Sequence, residues 1–188
     1  MSGEGDEEIK QTNEIKMVIP LLENIDIQGK EITADALLTQ RKLASYLVEE
    51  RQAHYHFTVK GNQSQLRNDI ALYFQNRQEP DFVDHAALEH GRIETRKIWT
   101  TSEVNGYLNF PHVGQAFVIE RESIEKKTGK LSKETAYGIT SRLMRSVFSR
   151  RTAATGASKT AAIILLTGTM MRIADGYELA MALKTSLV

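Results

Sequence analysis

The chain has 188 residues, 41% hydrophobic and 26% charged, which suffices for one globular domain with a real core and not for two comfortable ones. It has no cysteine, which excludes disulfides and thiolate metal sites, and its five histidines (54, 56, 85, 90 and 112) show no helical ligand spacing, so no structural metal is expected. Net charge is zero but unevenly spread: residues 1–50 hold 5 Lys/Arg against 11 Asp/Glu, residues 101–151 hold 9 against 5, and such a balance supports nucleic-acid binding only weakly. No apolar run approaches bilayer length and the N-terminus is acidic where a secretory signal is basic, so a cytoplasmic protein without membrane contact is expected.

Residues 1–11 are Gly/Glu-rich and read as a disordered N-terminus. Thr12-Asn13-Glu14 then opens a helix with apolar positions 15, 18, 19, 21, 22 and 25, which Pro20 limits to a kink or an early stop. Gly29-Lys30 turns the chain into a short strand over Glu31 to Leu37. Leu38 to Arg51 follows as a helix with 43, 44, 47 and 48 on one face. Tyr55 to Val59 reads as the next strand, and Gln63 to Arg77 as the next helix, carrying Leu66, Ile70, Leu72 and Phe74. Strand, helix, strand and helix at these lengths imply a parallel α/β layer. After Pro80 come extended pieces over 92–100, 115–125 and 134–140, read as antiparallel strands appended to that layer, the last two separated by the polar turn Lys126-Lys127-Thr128-Gly129-Lys130. Ala153 to Leu187 reads as a hydrophobic helix with Ile163, Leu166, Met170 and Ile173 on a stripe.

Three segments carry candidate chemistry. In Ile32-Thr33-Ala34-Asp35-Ala36-Leu37, an apolar strand delivers one aspartate to its carboxyl end, where an open α/β sheet places ligand-binding groups, although such an aspartate more often caps the next helix. Lys60-Gly61-Asn62-Gln63 joins a strand to a helix, a place where a lysine and free helix N–H groups suit a phosphate and where ordinary polar turns are also common. His90-Gly91-Arg92-Ile93-Glu94-Thr95-Arg96 puts Arg92, Glu94 and Arg96 on one face of a strand; from spacing alone a salt-bridged, solvated face is favoured over a phosphate clamp.

In order and spacing these three segments resemble the DDE transposases of bacterial insertion sequences, specifically the H-repeat-associated family, over roughly residues 12 to 140. Trp99, three residues past Arg96, fits the hydrophobic continuation of that family's third motif. The resemblance implies a partial ribonuclease-H-like α/β fold with a β insertion. It implies that Asp35 is the second of three carboxylates that hold two Mg²⁺ ions for metal-dependent strand cleavage and transfer. It makes Lys60, Asn62, Gln63, His90, Arg92 and Arg96 contacts to DNA at insertion-sequence ends. Glu94 is not the third carboxylate, which the family assigns to a later glutamate.

Against the family pattern, the first carboxylate is expected upstream of the Asn13-Glu14-Ile15 helix, where this chain has only a dozen residues, and the late run R-G-H-W-x-I-E-N is missing. That run can be threaded in the neighbouring reading frame. Met170-Met171 then gives Asp, Thr155-Gly156 permits Trp, Ser158-Lys159 permits Glu and Lys159-Thr160 permits Asn. A frameshift between about Ser141 and Thr152 is therefore expected, leaving residues 12–140 as a partial catalytic domain and 141–188 as an out-of-frame tail. With one of three carboxylates present, the reading is a transposase remnant that is catalytically inactive and binds no Mg²⁺ productively. The alternative is a non-catalytic module that binds DNA, self-associates, or pairs with an intact transposase and inhibits it.

Overall fold

The computed structural model describes residues 16–85, 92–142, 162–166 and 169–174. At its centre lies a parallel pair, β1 (Glu31–Ala34) and β2 (His54–Val59), in register with Ile32 opposite Tyr55 and Ala34 opposite Phe57. A parallel pair needs a crossover. It is supplied by a 3₁₀ turn (Ala36–Leu38) and helix α2 (Arg41–Ser45), which widens into one π turn (Tyr46–Glu50). The strand predicted over Glu31 to Leu37 therefore stops at Ala34: Asp35 accepts a hydrogen bond from its neighbour Ala36 N–H and starts the 3₁₀ turn. Helix α1 (16–23) precedes β1, contains Pro20 and closes three residues after it, which is the early stop the proline predicts. Helix α3 (Ser64–Tyr73) follows β2 and ends in a further 3₁₀ turn (Phe74–Asn76).

The remaining strands are β3 (Phe82–His85), β4 (Arg92–Thr101), β5 (Gln115–Glu125), β6 (Leu131–Thr140), β7 (Ala162–Leu166) and β8 (Thr169–Ala174). They join one sheet in the order β3-β4-β5-β6-β2-β1-β8-β7. Apart from β1 with β2, every neighbouring pair is antiparallel. The strands expected over 92–100, 115–125 and 134–140 are thus present and appended to the α/β layer through β6 on β2. β3 was not predicted. The helix expected over 153–187 is corrected where the backbone is described: 162–166 and 169–174 form a hairpin, and β8 closes the free edge of β1, whose other edge is taken by β2. Aliphatic runs of this length suit either period, and the open sheet edge decides for the strand.

The main core lies between one face of the sheet and α1, α2 and α3. Ile32, Tyr55, Phe57, Val118 and Ile139 meet Val18 and Leu22 of α1, Leu43 and Leu47 from the crossover, and Leu66 and Ile70 of α3. Leu72, predicted among the apolar positions of α3, is 67% exposed, because the stripe that packs runs 66, 70, 74 and residue 72 falls on the far side. The other sheet face is more polar: His56 and Thr140 are buried there with Phe117, whose ring stacks on His56 at 4.3 Å. Burial pushes the His56 imidazole down to about 3, so it is neutral throughout the physiological range. No helix among the described residues is long and apolar enough to cross a membrane.

Candidate nucleic-acid interface

Because β1 and β2 run parallel, the residues that follow them emerge at the same end of the sheet. Asp35 comes off β1 and Lys60 off β2, and the ammonium lies 3.7 Å from Asp35 Oδ1. Both side chains remain about half exposed or more. Two amides lace the loops together: Asn62 donates to the Ala36 carbonyl at 2.6 Å and Gln63 to the Thr39 carbonyl at 3.0 Å. The Thr39 hydroxyl completes the lacing by donating to the Thr58 carbonyl at 2.6 Å. Asp35, Lys60, Asn62 and Gln63 are therefore one cluster, with Lys60 placed before the 3₁₀ turn Gly61–Gln63 that leads into α3. The Asn62 and Gln63 amides are spent partly on holding the first loop, and each keeps a second N–H. Thr39, which holds the cluster together, carries no sequence signal that would have singled it out.

The third segment does not join this cluster. β4 lies four strands from β1, about 19 Å at the usual strand spacing. Arg96 is 9% exposed, its Nε 2.5 Å from Glu94 Oε1, and Arg121 from β5 reaches the same oxygen at 3.3 Å. Arg92 opens β4 opposite Glu125, and His90 lies outside the described residues. Trp99 is buried in the same strand, donates its indole N–H to the Gln78 carbonyl at 2.8 Å and lies 4.5 Å below the Arg77 guanidinium. Arg77 in turn holds the buried Glu120 at 2.7 Å, and Lys133 approaches the same carboxylate at 3.0 Å. Burial raises the Glu120 pKa, but hydrogen bonds and charge from Lys133 and Arg77 outweigh it and hold the group below the usual carboxylate range.

A pair of magnesium ions needs several carboxylate oxygens converging from different elements. Here the cluster offers Asp35 with an ammonium against it, and among the described residues no group of three or more His, Cys, Asp or Glu side chains is placed to hold a metal. This donor set does not fit a two-metal centre.

No family model matches the chain, and no solved structure matches it. Among proteins of similar sequence, the uncharacterized protein in the dhlA 3′ region of Xanthobacter autotrophicus is 31% identical over 135 residues, 70% of this chain and 45% of that protein. The H repeat-associated putative transposase YbfD of Escherichia coli K12 is 36% identical over 91 residues, 46% of this chain and 36% of that protein. YhhI of the same strain, also named an H repeat-associated putative transposase, is 34% identical over 91 residues, 46% of this chain and 24% of that protein. The chain thus spans less than half the length of each of these relatives. An aspartate and a lysine that follow two parallel strands thus lie at one sheet end in a chain similar, over almost half its length, to proteins named putative transposases. Over that stretch the named relatives are H repeat-associated putative transposases.

Proposed function

We propose that residues 12–140 are part of the catalytic domain of an insertion-sequence transposase, of ribonuclease-H-like descent, which binds the DNA of insertion-sequence ends and does not cleave it. The observation that carries this is the Asp35–Lys60 cluster at the carboxyl ends of two parallel strands, in a chain similar to named transposases. In this reading Asp35 is one member of a three-carboxylate metal site. Lys60 supplies charge to a phosphate, and Asn62 and Gln63 fix the loops and offer their remaining N–H groups to the DNA backbone. Arg92, Arg96 and His90 belong to a further stretch of DNA contact; for Arg96 this requires the Glu94 pair to be exchanged for a phosphate. Without converging carboxylates no cleavage step is assigned to the chain, and residues 141–188 are read as an out-of-frame tail.

Binding to a terminal-repeat duplex, followed across a range of salt concentrations, tests this directly. Lys60→Ala is expected to weaken binding and to lower the slope of log affinity against log salt by about 0.9, one phosphate contact. Incubation with Mg²⁺ or Mn²⁺ is expected to yield no strand breaks. Nicked or joined products would overturn the inactive reading, and failure of the wild-type chain to bind at low salt would remove DNA binding altogether. The nucleotide sequence around the codons for residues 141–188 decides the tail: a neighbouring frame lacking the His-Trp and Glu-Asn signature would make it authentic protein.

A further inference from the structure

The antiparallel register of β6 on β2 places Tyr137 opposite Val59, so β6 traced backwards and β2 traced forwards run in the same direction. The β5–β6 hairpin therefore extends past the sheet end that carries Asp35 and Lys60. Lys130 stands seven residues beyond Tyr137, about 23 Å further out at the usual rise per strand residue. The inner rungs of the hairpin are buried at Ala116 and Ile139, and burial fades steadily toward the turn. It is an arm rooted in the core.

The turn at its tip is closely defined. Gly129 takes a positive φ of 67°, Gly129 N–H donates to the Glu125 carbonyl at 2.8 Å and Glu125 N–H to the Lys130 carbonyl at 3.0 Å. The Thr128 hydroxyl donates to the Glu125 carboxylate at 2.6 Å, which draws the nearest acid back into the turn. Lys126, Lys127 and Lys130 are all exposed, and among the described residues none has an ion-pair partner. Three unneutralised ammoniums within five residues, on an ordered tip, suit a polyanion. Directly behind them Ile93, Ile124 and Leu131 sit opposite one another on three adjacent strands, 44%, 43% and 61% exposed, an apolar shelf beside the lysines.

We propose that the tip of the β5–β6 hairpin is a second contact to duplex DNA, with Lys126, Lys127 and Lys130 on backbone phosphates about seven base pairs from those met by Lys60. The choice of DNA rests on the transposase reading above; the site itself rests on the register and on the lysines.

The test is the affinity of the full chain for a duplex of about 30 base pairs, longer than the span between the two sites. It is measured against salt for wild type, for Lys60→Ala, and for Lys126→Ala/Lys127→Ala/Lys130→Ala. The triple variant is expected to lower the salt slope by about 2.7, or 0.9 for each lysine, and to weaken binding at low salt at least tenfold, with an unchanged melting curve. An unchanged slope in the triple variant overturns the hairpin site, and if Lys60→Ala still weakens binding the transposase reading survives it. The reverse result, loss in the triple variant with Lys60→Ala unaffected, keeps the hairpin and removes the crevice. Wild type that binds no duplex overturns both. Retention of wild type but not the triple variant on phosphatidylserine vesicles, with equal duplex binding, assigns the tip to an anionic membrane surface and overturns the proposal.

Discussion

Replacing Gly138 with alanine is expected to destabilise the protein by about 3 kcal/mol, at the upper end of ordinary overpacking costs. Gly138 sits in β6 between Phe117 of β5 and Thr58 of β2. A Cβ built on it would stand 2.0 Å from Phe117 Cζ, 2.5 Å from Cε2 and 2.7 Å from Cε1. The phenyl ring thus lies flat across the glycine and fills the space a side chain would take. It has no easy retreat, because its other face stacks on the buried, neutral His56. At this chain length the loss corresponds to a fall in melting temperature of about 6–12 °C. Phe117→Leu in the same background is expected to recover most of it, although Phe117→Leu alone should be destabilising. A thermal-unfolding double-mutant cycle therefore reads a coupling between the two positions. A Gly138→Ala protein that melts with the wild type would mean that the ring does not lie over the glycine.

Gly138 also marks how far the sequence alone reaches. Alternation and β-branched or aromatic content made β2 and β5 legible, and the 66, 70, 74 spacing made α3 legible, because each buries one face of a regular element. Asp35 and Lys60 were each legible as residues that follow a strand, and their meeting follows from the parallel register, which delivers both to one sheet end. What depends on partners distant in sequence was not. Arg96 lies against Glu94 two residues away, but its burial is set by the β4–β5 register, which places Arg121 directly opposite it. The lysine turn reads as a turn in any sequence, yet its position beyond the Asp35 end of the sheet follows only from β6 pairing antiparallel to β2. Residues 162–166 and 169–174 carry an aliphatic stripe at helical spacing, yet pair as strands on the edge of β1.

Glu31→Gln is expected to stabilise the protein above neutrality and to leave it unchanged in acid. Glu31 opens β1 between His54 of β2 and Ala174 of β8 and is 2% exposed. Its Oε2 has no hydrogen-bond partner among the described residues, and the Arg142 guanidinium approaches it at 3.8 Å. Burial pushes its pKa up to about 7 against the partial pull of Arg142. In His54 beside it, burial and then Arg142 lower the imidazole pKa, which disfavours a compensating positive charge there. Between about pH 4.5 and 7 the folded protein therefore holds a proton that the unfolded chain has released, and stability falls as pH rises through this window. The contribution is complete below the unfolded pKa and lost above the folded one, about 3 kcal/mol in all for a shift of this size. His56 acts in the opposite sense: its folded pKa of about 3 lies below the ordinary imidazole value of 6.5, so its contribution is present above the latter and lost as pH falls toward the former. The two slopes oppose each other over the window they share, and above it only the Glu31 slope remains. Glu31→Gln keeps the shape, retains an acceptor for Arg142 and removes the titration. Urea unfolding at pH 4.5 and pH 8 should give coincident curves at the lower pH and a variant more stable by about 2–3 kcal/mol at the higher. Equal stabilities at pH 8 would show the carboxylate to be well solvated or fully paired, and the buried end of β1 would then have no part in the pH response.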